Sequence, residues 1–208
     1  MKILLIHGLS RTPLSLLNLE SYLQQKGAKT EQFGYLAFAE SFDSIVERLY
    51  VHCQAIAEKE PYAIVAHSLG GLLIRAALAN NSIKLPSQIV MLGTPHQPPR
   101  LAPIAWKLHP FRWWTRQCGF NLTNPAFFKS LPRLTSPYTI IAGTLGPTGV
   151  WSPFGNELND GIVAVSETLL SELDDVIELP VWHTFMMNNS TVKKIVAKAL
   201  ELDKNVDN

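Results

Sequence analysis

The chain has 208 residues, 47% of them hydrophobic and 17% charged, with a formal net charge of +1. That length suits one full hydrophobic core and is short for two, so a single domain over residues 1–208 is expected. The charge balance excludes nucleic-acid binding driven by overall charge and an acidic solvating tail, and no apolar run is long enough to cross a bilayer.

Taken in order, Lys2 to Ile6 is a continuous apolar run, as expected of a parallel strand covered on both faces. Its charged-then-apolar start resembles a signal peptide, but the run breaks at His7-Gly8 and no small-residue cleavage site follows, so a central strand is the better reading. Thr12-Pro13 reads as an N-cap and first-turn proline, and Leu14, Leu17, Tyr22 and Leu23 give the helix after it an apolar face up to Gly27. Ala28 to Gly34 is a weaker strand. From Ser41, the set Phe42, Ile45, Val46, Leu49, Cys53 and Ile56 recurs at helical spacing.

Tyr62 to Ala66 is again a buried-strand run. It stops at Ser68, and Leu72, Leu73, Ile74, Ala77 and Leu78 then begin a buried helix that should fray at Asn80-Asn81. Strand, sharp turn and helix require small neighbours at the apex, here Ala66, Gly70 and Gly71. Gln88 to Leu92 is the next strand and Gly93-Thr94-Pro95-His96 its exit. Residues 97–135 lose periodicity and collect prolines and bulky aromatics. A strand returns at Tyr138 to Gly143, followed by a Gly/Pro-rich loop to Asn159-Asp160-Gly161. Ile162 to Leu170 is read as helical, Val176 to Leu179 as the last strand, and Ser190 to Leu200 as a closing helix before a polar, loose tail from Asp203. Strands alternating with helices predict an α/β fold with a doubly wound, mostly parallel sheet.

The turn at Ser68 follows the nucleophile-elbow pattern G-x-S-x-G, with Ala66 at the first glycine. The segment Ala66-His67-Ser68-Leu69-Gly70-Gly71 resembles the elbow of small bacterial lipases of the α/β-hydrolase superfamily, some of which also carry Ala there. The resemblance implies a serine hydrolase whose triad follows the chain order Ser, acid, His. His183, in Trp182-His183-Thr184 after the last strand, fits as base; His96 and His109 precede the required acid. Asp160 sits in Asn159-Asp160-Gly161-Ile162-Val163, which resembles the acid-bearing segment of many lipases. Glu157, Asp174 and Asp175 remain alternatives, and Asp160-Gly161 is also a common Asx-turn pair. The Leu69 N–H and, in the lipase-like His7-Gly8-Leu9, the Leu9 N–H are the expected oxyanion-hole donors. His7 and His67 flank the site as pocket-lining or supporting groups.

Between Pro61 and Asn156 there is no Asp or Glu, while six of the eight cations in that stretch fall in 97–135. The same insertion holds Trp106, Trp113 and Trp114, which are expected at the substrate pocket. In an α/β hydrolase a lid or cap is inserted here, and Asn124 to Leu131 resembles a short cap helix opened by Asn124 and Pro125. Three uses compete: a surface for an anionic lipid interface, a cap whose rings pack inward, and attraction of a soluble anionic acyl substrate. No phosphate loop, metal cluster or dinucleotide fingerprint is present, so no cofactor is expected. Cys53 and Cys118 lack metal-like spacing and read as free thiols of a cytoplasmic protein, with one disulfide as the alternative. The overall expectation is hydrolysis of carboxylic esters, lipid-like or fatty acyl, with an acyltransferase or thioesterase as the nearest alternative and a binding module without turnover as the third.

Overall fold

The computed structural model describes residues 1–79 and 84–202; the expected fraying at Asn80-Asn81 and the tail from Asp203 lie outside them. Among the described residues the strands are β1 (Lys2–Ile6), β2 (Lys29–Phe33), β3 (Tyr62–His67), β4 (Ile89–Leu92), β5 (Tyr138–Gly143) and β6 (Val176–Leu179). They form one sheet in the order β2-β1-β3-β4-β5-β6, and every pairing is parallel. The helices are α1 (Leu17–Gln25), α2 (Phe42–Ala57), α3 (Leu69–Ala77), α4 (Leu101–Trp106), α5 (His109–Leu122), α6 (Pro125–Ser130) and α7 (Ser190–Ala199).

Alternate strand residues supply two cores, which is why the strand sequences read as unbroken apolar runs. Leu4, Ile6, Ile64, Ile89, Met91 and Ile140 pack beneath α2 and α3 with Ile45, Leu49, Leu72 and Leu73. On the other face Ile3, Leu5, Val65, Val90, Leu92 and Ile141 meet Leu19 and Leu23 of α1 and Val192 and Val196 of α7. Each such side chain contributes roughly 1.5–3 kcal/mol of transfer free energy when fully buried. Helices on both faces of a parallel sheet give the expected doubly wound α/β architecture.

Three local expectations are corrected. Residues 97–135 are largely helical, as α4, α5 and α6, although Asn124 does cap α6 by accepting the Ala126 N–H at 3.0 Å. No single 3.6-residue period runs through them because α4 has six residues and α5 breaks at Arg116, where φ is 44° and ψ is −128°. Ile162 to Leu170 shows only a 3-10 turn at Val165–Thr168. Asp160 Oδ1 takes the Ile162 and Val163 N–H groups, and the Glu167 carboxylate takes that of Ala164, so the segment's donors are held in turns instead. Thr12 makes no side-chain cap, and a 3-10 turn at Pro13–Leu16 precedes α1. Both cysteines are free and buried.

The first turn of α3 rests directly on the end of β1. A Cβ on Gly70 would lie 2.8 Å from the His7 carbonyl oxygen and 2.9 Å from that of Ile6, both backbone atoms with no room to yield. Gly70→Ala is therefore expected to lose about 1–3 kcal/mol, measured as a lower urea midpoint; an unchanged midpoint would contradict this fit.

Candidate active site

The strand order reverses direction between β1 and β3, whose carboxyl ends lie side by side with Ile6 opposite Ala66. A crevice at such a switch point is where ligands bind in open α/β sheets. Ser68 follows β3 with φ 52° and ψ −122°, a left-handed backbone that strains a non-glycine residue, and it is the N-cap of α3. Its N–H is fixed to the Leu92 carbonyl at 2.9 Å, and its side chain is half-buried. As first residue of α3, Leu69 keeps an N–H with no intrahelical partner, and Leu9 N–H makes no backbone hydrogen bond among the described residues. A Cβ on Gly8 would come within 3.0 Å of the Ser68 Cβ, so glycine lets the first loop close on the Ser68 turn.

Asp160 and His183 approach from the far side of the sheet. His183 opens the 3-10 turn His183–Asn188 just after β6, and Asp160 lies in the loop after β5. His183 Nδ1 donates to Asp160 Oδ2 at 2.6 Å, and the His183 N–H donates to the Asp160 carbonyl at 2.9 Å. With the two backbone donors on Oδ1, the buried carboxylate is fully occupied, and the Asx-turn coexists with the histidine contact. A proton on Nδ1 leaves Nε2 as the basic nitrogen. Among the described residues the other acids are engaged elsewhere: Glu157 pairs with Arg100, and Asp174 accepts from Tyr138 Oη at 2.6 Å and from two backbone N–H groups. Asp175 is exposed. Ser68 Oγ has no hydrogen bond among the described residues, and it shares one cavity with His183.

The flanking imidazoles are structural parts of this arrangement. His67 donates from Nε2 to the His183 carbonyl at 3.1 Å, and its ring lies 4.8 Å from that of His183. His183 is thus held by its side chain, its N–H and its carbonyl. His7 donates from Nδ1 to the Gly8 carbonyl at 2.9 Å, accepts the Tyr35 N–H at 3.3 Å and stacks on the Tyr35 ring at 4.1 Å.

A cavity of about 500 Å³ joins Ser68, His67 and His183 to Leu9, Arg11, Pro95, Leu101, Ala102, Ala105, Phe111, Leu122, Ile162 and Val163. Of the expected pocket residues, only His67 is on its wall. His7 lies beneath the first loop, its ring taken up by Tyr35. Trp106 packs against Phe120 at 5.7 Å, and Trp113 and Trp114 face outward, 67% and 41% exposed. The three tryptophans stay off the wall because α4 and α5 present their smaller and aliphatic residues, with Phe111, to the cavity. Arg11, Pro95 and Phe111 escaped the sequence reading because nothing in their local pattern marks them.

No protein-family model matches the chain, and no curated protein matches it. Solved structures do. Phospholipase PlaB from Legionella pneumophila is similar at 15% identity and a TM-score of 0.66, over 81% of this chain and 44% of that one, so the chain spans less than half of the phospholipase. RedJ, a thioesterase of the prodiginine pathway in Streptomyces coelicolor, matches at 13% identity and a TM-score of 0.59 over 96% and 89% of the two chains. An extracellular α/β-hydrolase from a Paenibacillus species matches at 14% and 0.63 over 96% and 98%. At such identities the likeness shows the fold: this chain has the α/β-hydrolase fold.

Burial lowers the basicity of His67, His7 and His96 below the ordinary histidine value of 6.5, and the Arg75 charge adds to the effect at His96. Below that pH the unfolded chain binds more protons than the folded one, so stability is kept above it and falls as the pH drops. Thermal unfolding at about pH 5 is expected well below that at about pH 7.5; equal midpoints would show that these imidazoles are not held neutral.

Proposed function

We propose that the chain is a serine hydrolase of carboxylic esters with an apolar acyl part, working through Ser68, His183 and Asp160. The observation that carries this reading is the 2.6 Å bond from His183 Nδ1 to the buried Asp160 carboxylate, on a histidine that shares one apolar cavity with Ser68. His183 Nε2 takes the Ser68 proton as Oγ attacks the ester carbonyl, and the imidazolium that forms is stabilised by Asp160. The Leu69 and Leu9 N–H groups receive the oxyanion at the positive end of α3, where one aligned donor lowers the barrier by about 3 kcal/mol. The alkoxide leaves with the proton from His183; a water deprotonated by the same nitrogen then attacks the acyl carbon, the bond to Ser68 Oγ breaks as the acid is released, and His183 returns the proton to Ser68 Oγ.

The cavity walls favour hydrocarbon over polar acyl groups, and its volume is within the range of small-molecule sites. Helices α4 and α5 supply Leu101, Ala102, Ala105, Phe111 and Leu122 to it, so residues 97–135 serve as a cap in this reading. The likeness to a phospholipase supports a lipid-like ester. A thioester substrate is the second reading, favoured by the near end-to-end match with RedJ thioesterase.

Wild-type protein should be labelled by a fluorophosphonate and should hydrolyse p-nitrophenyl acyl esters, with a rate maximum at one chain length; Ser68→Ala should lose both without unfolding. Asp160→Asn should cut kcat by about 10⁴, because the histidine loses its required tautomer. Retained turnover in Ser68→Ala would remove the proposed nucleophile, and a loss in Asp160→Asn of under about tenfold would remove the proposed acid. Acyl thioesters run beside the esters decide between the two substrate classes by kcat/KM.

A further inference from the structure

We infer that the outer face of α4 and α5 is a docking surface for an anionic lipid bilayer. These two helices have opposite characters on opposite sides. Their inner side walls the catalytic cavity. Their outer side leaves Ile104, Leu108, Trp113 and Phe120 at least half exposed, with Trp113 at 67% and Leu108 at 62%. An isolated exposed aliphatic is ordinary, but five large apolar side chains exposed within residues 104–120, on α4, α5 and the Leu108 link between them with Trp114 included, are a concentration that water solvates poorly.

The rings are braced in their outward position. Trp114 rests on Phe38 with ring centroids 4.7 Å apart, and Trp113 packs beside Trp114 at 6.0 Å. Trp106, by contrast, is half-buried, packed between Phe111 and Phe120 with Arg112 stacked 5.5 Å from its ring centre. The segment therefore separates its aromatics into packed and presented ones, rather than burying all of them.

Charge selects the occupant. Lys107, Arg112 and Arg116 are exposed among these rings, and none forms an ion pair among the described residues, whereas Arg100 in the same segment is tied to Glu157 and Glu167. The carboxylates nearest to α5 on the α2 side are engaged: Glu40 pairs with Arg48 at 2.6 Å, and Asp43 accepts from Gln117 at 3.0 Å. Tryptophan and aliphatic groups interleaved with cations that have no carboxylate partner among the described residues match an interface of hydrocarbon beneath anionic headgroups. A second copy seated on the same face would bring like charges together, which opposes self-association. A nucleic acid would leave Ile104 and Leu108 without an apolar partner. Docking this way sets the bilayer one helix diameter, about 10 Å, from the catalytic cavity.

The test uses full-length Ser68→Ala protein, which leaves the lipid intact and makes the outcome independent of the proposed catalysis. Sedimentation with vesicles of phosphatidylcholine, alone or with about a third phosphatidylglycerol, should show binding that needs the anionic lipid and falls at least tenfold as salt rises from about 0.05 to 0.5 M. Tryptophan emission should shift to the blue on binding. In the same background, Trp113→Ala with Trp114→Ala, and separately Lys107→Glu with Arg112→Glu, should each weaken vesicle binding about tenfold. In the Ser68 protein those pairs should leave turnover of a soluble short-chain ester unchanged. Circular dichroism checks folding, and Lys107→Ala with Arg112→Ala replaces the charge reversal if that variant unfolds. Absent binding, equal binding to neutral vesicles, or binding that the variants do not change would overturn the inference. So would salt-sensitive self-association, or capture of single-stranded DNA, abolished by the same substitutions.

Discussion

The backbone at Ser68 sits at φ 52° and ψ −122°, a conformation that costs a non-glycine residue about 1–3 kcal/mol, and the fit of α3 onto the end of β1 holds it there. Gly70 lies against the carbonyls of Ile6 and His7, and the Ser68 N–H is bonded to Leu92 of β4. Three adjacent parallel strands thus fix one turn. Because β1 and β3 are both buried on two faces, the turn cannot relax without disturbing both cores. The strain is the means by which a hydroxyl, a helix N-terminus and the first loop are brought to one point.

The second half of the site depends on a different economy, the satisfaction of buried polar groups. Asp160 is buried, and each of its carboxylate oxygens has a donor: backbone N–H groups on one, His183 on the other. A buried carboxylate without such partners would be expensive to hold. Gly93, at φ 55°, passes beneath the pair, where a Cβ would come within 3.0 Å of both Asp160 Oδ2 and His183 Nδ1. His67 completes the frame from β3, the strand that precedes Ser68, by donating to the His183 carbonyl. His183 is therefore coupled to β3 and Ser68 through the backbone as well as through the cavity.

The helices between β4 and β5 link this site to the molecular surface. Their compact and aliphatic residues close the cavity, and their largest rings point away from it. The break at Arg116 divides α5, so that Thr115, Cys118 and Gly119 face the core while Trp113 and Phe120 remain at the surface. One segment can wall the Ser68 cavity and form an external surface because a helix pair has two sides and the kink resets which residues occupy each.

Much of this was legible in the chain itself. The strands declared themselves as apolar runs because both sheet faces are covered, and Ala66, Ser68, Gly70 and Gly71 marked the elbow because only small residues fit beside a strained turn. Asp160 and His183 can be nominated from strand order and the Asn159-Asp160-Gly161 segment, yet Glu157, Asp174 and Asp175 also lie between Ser68 and His183 in the chain; only the folded loops decide which carboxylate meets His183 Nδ1. Residues 97–135 read as aperiodic beyond the Asn124 to Leu131 helix, and their sequence does not say that Trp106, Trp113 and Trp114 lie off the cavity wall, because periodicity is lost across short helices and a mid-helix kink. Local sequence determines where backbone must be extended, helical or tightly turned, since those are short-range steric and hydrophobic effects. Which side chains meet across the sheet, and which face water, was decided by tertiary packing, since it depends on the relative phase of elements far apart in the chain.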